Sequence, residues 1–316
     1  MSIPNVNTVS SVASRVPPLC LRGQNLTLDE VVAVASGGRT VSVTTDEEII
    51  ERLEAGQSLV REAVDAGWRV YGLTTGFGGL ANVAIPSEQA EASQVNLLSF
   101  LSSGAGKPLE KKHVRAAMLV RANMLLRGAS GVRIEIVERL VKFLNGDATP
   151  QVCELGSIGA SGDLIPLATI ARAITGQATP CQVKLGEREV DNGTALDALG
   201  LEPLEMLPKE GLAMVNGTSF SAAIGLNCVH SARDYLALSF VTHTMMTRAL
   251  LGYEEPFASF VHESKPHPGQ VWAARMMRKL LNVKEGTESS NGIPAQKHLQ
   301  DRYSLRCLPQ YMGPLV

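Results

Sequence analysis

The chain has 316 residues, 45% hydrophobic and 19% charged, which is enough apolar material for a large core in one large or two medium domains. A formal net charge of −2 and a pI near 6.3 leave no basic footprint for nucleic acid, and no apolar run approaches the length that spans a bilayer. Five cysteines without a Cys-x-x-Cys pair argue against a disulfide framework or a zinc site, and for a reducing, cytoplasmic setting. The histidines are scattered; His262 and His267 flank Lys265-Pro266 with no further ligand at a metal spacing, so no metal is expected.

Residues 1–20 read as a polar tail, and with no charged start leading into an apolar core no signal peptide is expected. Thr27-Leu28-Asp29-Glu30 is a capping box ahead of Val31, Val32 and Val34. Thr40 to Val43 alternates as a short strand. Thr45-Asp46-Glu47-Glu48 reads as a second capping box, opening a helix to about Ala66 that Gly67 stops. Tyr71 then enters Gly72-Leu73-Thr74-Thr75-Gly76-Phe77-Gly78-Gly79, a loop whose glycines mark a mobile or closely approached backbone. Residues 87–103, 110–127 and 131–144 carry apolar side chains at helical spacing, and Asn145-Gly146 ends the third. A helix from about Leu164 to Ile174, a hairpin across 178–192 and a short helix from Thr194 to Leu199 follow. A long helical run then extends from Glu210 to about Leu251, and 283–298 reads as a polar loop. The fold class expected is mainly α with a small α+β region near the N-terminus, divided into 20–205 and 206–316.

The motif richest in chemistry is Gly156-Ser157-Ile158-Gly159-Ala160-Ser161-Gly162-Asp163. If the backbone bends sharply, the amide nitrogen of Gly162 can attack the carbonyl carbon of Ala160, because glycine has no Cβ to block the approach. Loss of water from the five-membered ring and of the Ser161 hydroxyl would leave a methylidene-imidazolone, an electrophile that no ordinary side chain offers. Other readings stand beside this one. Glycine-rich turns before helices cradle phosphate, although this spacing matches neither the dinucleotide fingerprint nor a Lys-containing P-loop. A nucleophile elbow fails because Asp163 stands where its last glycine belongs. The plainest reading is a serine N-cap with turn glycines. A second Ala-Ser-Gly, Ala129-Ser130-Gly131, joins two amphipathic patterns and reads as a helix–helix turn.

Further motifs stand in order along the chain: Tyr71 with Thr74-Thr75-Gly76-Phe77-Gly78, the Gly156–Asp163 motif, Asn216-Gly217-Thr218, His267-Pro268-Gly269-Gln270, and Gln300-Asp301-Arg302-Tyr303-Ser304-Leu305-Arg306-Cys307. Together they resemble the aromatic amino acid ammonia-lyase family of histidine, phenylalanine and tyrosine ammonia-lyases and related aminomutases, from about residue 20 to the end. The resemblance implies a helical-bundle ammonia-lyase-like fold and homotetramers whose active sites combine residues of several subunits. It also implies a methylidene-imidazolone formed autocatalytically from Ala160-Ser161-Gly162, with no metal and no nucleotide. The family continues past the point where this chain stops at Gly313-Pro314-Leu315-Val316, an apolar ending that reads as a cut. The segment 206–316 is then the start of a central helical domain, and a complementing C-terminal chain becomes a candidate partner.

The resemblance also implies roles. Tyr71 is the candidate base for the substrate β-proton, in a loop able to close as a lid. Asn216 hydrogen-bonds the prosthetic ring. Arg306 offers a planar fork to the substrate carboxylate, with Gln300 and Tyr303 orienting substrate and ring from the same helical face. Leu212 lines the pocket. Phe100 and Leu101 match the family's selectivity pair, and two apolar residues there offer no partner to a phenol or an imidazole. The expected activity is therefore elimination of ammonia from L-phenylalanine to give trans-cinnamate. The alternatives are an aminomutase of the same family and an inactive truncated subunit.

Overall fold

The computed structural model describes residues 16–283 and 299–316; the tail before residue 16 and all but Val283 of the expected 283–298 loop lie outside them. The chain divides into two compact units, Met1–Cys228 and Val229–Val316. The boundary expected at 205/206 falls inside the first unit.

In the first unit, β1 (Leu19–Leu21) and β2 (Val41–Val43) pair in parallel around α1 (Leu28–Ala35). Thr27 and Glu30 form the expected capping box of α1. The helix α2 (Glu47–Asp65) differs from expectation at its start. Asp46, not Thr45, has the extended backbone of an N-cap, and its carboxylate accepts from the Glu48 N–H at 3.1 Å. That frame puts Ile49 three residues on, so no reciprocal box forms. Gly67 ends α2 as expected, in left-handed conformation (φ +65°). A single turn of 3₁₀ helix, Ser87–Gln89, leads into α3 (Ala90–Phe100).

Next come β3 (Ala105–Pro108), α4 (Lys111–Leu125) and α5 (Ile134–Asn145). Ala129-Ser130-Gly131 lies in the turn between α4 and α5, with Gly131 at φ +68°. The strands β4 (Ala148–Pro150) and β5 (Cys153–Leu155) precede α6 (Leu164–Thr175). The expected hairpin is β6 (Gln182–Leu185) with β7 (Arg188–Asp191), and β4 extends it to a three-stranded antiparallel sheet; β3 pairs antiparallel with β5. The core centres on α4, α5 and α6, where Met118, Leu119, Leu140, Phe143, Leu167 and Ile170 are fully buried. The fold is mainly α, as expected, with short strands between Leu19 and Asp191, the last two of them at the expected hairpin.

After α7 (Asn192–Ala198), the long run from Glu210 is not one helix. It breaks into α8 (Glu210–Val215) and α9 (Ser219–Ala249). The start of α8 is pinned by the buried Glu210 carboxylate, which takes a two-pronged pair from Arg133 at 2.9 and 2.8 Å. At the break Gly217 has φ +152°, and a Cβ there would stand 2.5 Å from the Arg121 guanidinium.

The second unit holds the later part of α9, α10 (Ser259–Glu263), α11 (Pro268–Leu281), α12 (Tyr303–Arg306) and α13 (Leu308–Met312). Phe240, Phe257, Met277, Leu281 and Leu308 form its core. His267 precedes α11 and Pro268 occupies the first helical position, where its missing N–H costs nothing. Gln270 meets His262 Nδ1 at 3.0 Å, and His262 Nε2 meets the Pro256 carbonyl at 2.8 Å. Burial holds the pKa of His262 below its ordinary value.

Replacing Leu140 by Ala removes a fully buried side chain from the α4–α5–α6 core. Urea unfolding should give a free energy lower by about 2–5 kcal/mol; a loss within error of zero would mean that this layer does not carry the first unit.

Candidate active site

The Gly156–Asp163 segment leaves β5 and tightens into a 3₁₀ turn at Gly159–Ser161. Ser161 N–H donates to the Ile158 carbonyl at 2.8 Å, Gly162 N–H to the Gly159 carbonyl at 3.1 Å, and Ile158 N–H to the Gly162 carbonyl at 2.8 Å. Gly162 adopts φ +88° and lies directly against Gly217, whose carbonyl would collide with any Cβ at position 162. The next amide, Asp163 N–H, donates to that same carbonyl at 2.8 Å. Ser161 caps nothing: α6 begins after Asp163, and no side chain caps it. The serine-cap reading therefore fails.

The Asp163 side chain is almost fully buried. It accepts from Ser157 Oγ at 2.9 Å, from Ser221 Oγ at 2.5 Å and from the Ser221 N–H at 2.7 Å. The last of these amides lies in the first turn of α9, where N–H groups lack intrahelical partners and the helix dipole favours an anion. At the other side of the break Arg121, from α4, donates to the carbonyls of Ala213 and Asn216, the latter at 2.8 Å. Burial lowers the Arg121 pKa to about 10, with Asp163 opposing the shift, so it stays charged at neutral pH. A carboxylate thus closes the start of α9 and a guanidinium closes the end of α8. Between them the Asn216 side chain is held so that Nδ2 donates to the Ser161 carbonyl at 3.0 Å.

Tyr71 sits in the turn before the glycine-rich loop, half exposed. Its hydroxyl accepts from the Gly78 N–H at 3.0 Å, and its ring meets Phe77 edge-on at 6.5 Å. The loop is tied to α8 through buried Gln94 of α3. Gln94 Nε2 donates to the Gly72 carbonyl at 3.2 Å, and its Oε1 accepts from the Leu212 N–H at 3.1 Å. Leu212 packs so closely over Gly72 that a Cβ there would stand 2.5 Å from it. At the end of α3, Phe100 is 82% exposed while Leu101 is buried in the core. The first unit therefore brings Leu212 against Gly72, the residue after Tyr71, through Gln94, and Asn216 together with Ser161.

Gln300, Tyr303 and Arg306 belong to the second unit. Only Tyr303–Arg306 is helical, with Arg302 as N-cap, so Gln300 does not share a helical face with the other two as expected. The guanidinium of Arg306 lies 4.5 Å from the centre of the Tyr303 ring, and its Nε is buried without a partner. Stacking on the aromatic face holds an arginine without consuming its N–H donors. Tyr303 is 72% exposed, and Asp301 anchors the segment by accepting from the Tyr253 N–H at 2.6 Å.

Sequence reasoning missed Gln94, Arg121 and Ser221, and gave Asp163 no role of its own. A signal existed for two of them. Arg121 interrupts the apolar stripe Val114, Met118, Leu125 of α4, and Gln94 interrupts the stripe of Ala90 and Leu97 of α3 with Leu101 just after its end. A lone polar residue on a buried stripe must find partners inside.

The sequence profile of the aromatic amino acid lyase family matches residues 26–316, and the chain belongs to that family. It is 45% identical to a phenylalanine ammonia-lyase of Nostoc punctiforme, with 99% of this chain and 55% of the relative aligned. It is 42% identical to an aromatic ammonia-lyase of Loktanella atrilutea over 94% of this chain and 55% of the relative. Among solved structures, the tyrosine aminomutase of Streptomyces globisporus superposes with a TM-score of 0.83 at 30% identity, covering 94% of this chain and 58% of the other. The chain spans about half the length of the curated relatives it matches.

Among the described residues all five cysteines are free, no cluster of three or more His, Cys, Asp or Glu is poised for a metal, and no helix is long and apolar enough to cross a membrane.

Arg121→Met should cost about 1–3 kcal/mol for each carbonyl left without a donor, read as a lower urea midpoint by circular dichroism. An unchanged midpoint would mean that the α8–α9 break holds without the guanidinium.

Proposed function

We propose that this chain forms part of a carbon–nitrogen lyase that eliminates ammonia from an aromatic L-amino acid, with L-phenylalanine giving trans-cinnamate. The observation that carries the reading is the arrangement at Gly162: a left-handed glycine with no room for a Cβ, wedged against Gly217, with the Asn216 amide on the Ser161 carbonyl. These residues fit a methylidene-imidazolone formed from Ala160-Ser161-Gly162, since ring closure needs a bare glycine in a tight turn. Once formed, that group supplies an electrophilic methylene carbon for the substrate amine.

The remaining roles belong to this chain's own side chains. Asn216 holds the Ser161 carbonyl in register. Tyr71 takes the β-proton on its oxygen, as the phenolate that becomes the phenol, and the Gly78 N–H is aimed at that oxygen. Arg306, braced by Tyr303, pairs with the substrate carboxylate, and Gln300 orients it. Phe100, Leu101 and Leu212 surround the aromatic ring without offering a hydrogen bond, which favours a phenyl group over a phenol or imidazole.

The protein is read as a cytoplasmic homotetramer. The exposed stripe Tyr235, Leu238 and Met245 on α9 supports association, because apolar side chains three and seven residues apart share a helix face. Since the chain spans about half of its relatives, the elimination is assigned to an assembly that includes the remaining portion, in the same or a complementing polypeptide. The likeness to an aminomutase supports a second reading, in which ammonia returns to the β-carbon. Chromatography of the products separates the two.

The tryptic peptide containing Ser161 should be lighter by about 36 Da, the mass of two waters lost in forming the group, while the peptide containing Ser130 keeps its full mass. An unmodified Ser161 peptide would move the inactive-subunit reading ahead. In an active assembly, Phe100→His should shift the ratio of kcat/KM for tyrosine over phenylalanine upward by about tenfold or more; a ratio that stays put would remove Phe100 from the substrate pocket.

A further inference from the structure

Beyond the Ser161 loop, α6 presents a second chemically defined surface. Ile165, Thr169 and Arg172, spaced four and three residues apart, form one stripe of the helix along a cavity of about 360 Å³. Gln151, Cys153 and Cys181 line it as well, and Ser102, Thr179 and Gln182 leave it open to solvent.

Arg172 is only 6% exposed, and no carboxylate lies within ion-pair distance of it among the described residues. Its terminal nitrogens reach the Thr179 carbonyl and Thr169 Oγ1, each at 3.3 Å, and its Nε has no partner. Two of the other arginines buried in this unit carry an ion pair, Arg115 with Asp147 at 3.3 Å and Arg139 with Glu135 at 3.2 Å, while Arg121 donates to backbone carbonyls and has its charge opposed by Asp163. The buried thiol of Cys181 is pushed up to about 11, so at neutral pH it brings no negative charge. A desolvated cation without a counter-charge is costly, and a fork held beside an open cavity is suited to take that charge from a ligand.

We propose that this cavity is a binding site for a small carboxylate, seated on the Arg172 guanidinium and separate from the Ser161 loop. A carboxylate fits better than a phosphate because no second cation lines the cavity, and a multiply charged anion would keep uncompensated charge. The apolar walls from Pro108, Val152, Ile165 and Pro180 suit a ligand with a hydrocarbon body. The proposal does not depend on the elimination reaction proposed above.

The test uses the full chain with sodium benzoate as probe. Calorimetry gives the Kd, and peptide-resolved mass spectrometry follows iodoacetamide alkylation of Cys153, a local reporter inside the cavity. At about ten times the Kd, alkylation of Cys153 should slow about tenfold, the mass-action limit for one site, while exposed Cys20 and Cys228 react as before. Protection should disappear in Arg172→Gln and also in Thr179→Trp, which fills the mouth and keeps the guanidinium in place. It should persist in Arg306→Gln, which removes the other candidate carboxylate partner. The proposal is overturned by absence of protection in the unmodified chain, by protection that survives Thr179→Trp, by protection lost only in Arg306→Gln, or by equal protection from inorganic phosphate.

Discussion

Asp163 buries a carboxylate where burying a charge is expensive, and the first unit is arranged around satisfying it. Two hydroxyls and the Ser221 amide converge on its oxygens, and Arg121 supplies opposite charge from α4. The amide belongs to the first turn of α9, so satisfying Asp163 fixes where α9 begins. The helical run that starts at Glu210 must then break before Ser219, and the break sets Gly217 against Gly162. A charge too costly to leave unpaired thereby specifies the backbone geometry beside Ser161 more tightly than apolar packing, which tolerates substitution, would do.

What could be read in the sequence follows from how local each signal is. The α1 cap, the end of α2 at Gly67 and the β6–β7 hairpin rest on neighbouring residues, and all three form where they were expected. The break at 216–218 was legible only as a motif. Its helical spacing continues through Asn216-Gly217-Thr218, and the causes of the interruption, Asp163 and Arg121, lie more than fifty residues away in the chain. The cap of α2 moved by one residue because Thr45 and Asp46 are both good capping residues, and the tie is decided by backbone conformation. Gln300, Tyr303 and Arg306 have helical spacing, yet the helix begins only at Tyr303.

Four of the side chains proposed to meet a substrate are little used by the fold, whereas Leu101 and Leu212 are buried in it. Phe100, Tyr71 and Tyr303 leave large aromatic surfaces in solvent, and Arg306 keeps an N–H unpartnered while resting on a ring. Their neighbours carry the structural work: Leu101 is core, Gly72 lies under Leu212, and Leu305 is buried. This division lets rigid elements aim groups whose own bonding capacity remains free.

Gln94 gives this arrangement a restriction on which residue can stand at one position. Its amide donates to the Gly72 carbonyl with one end and accepts from the Leu212 N–H with the other. Ionised glutamate matches the length and loses the donor, asparagine keeps both functions and falls a methylene short, and histidine carries its donor and acceptor on a ring of different shape. A single interior position thus ties the loop beside Tyr71 to the helix ahead of Asn216, and at neutral charge glutamine is the side chain whose reach and paired donor and acceptor match it.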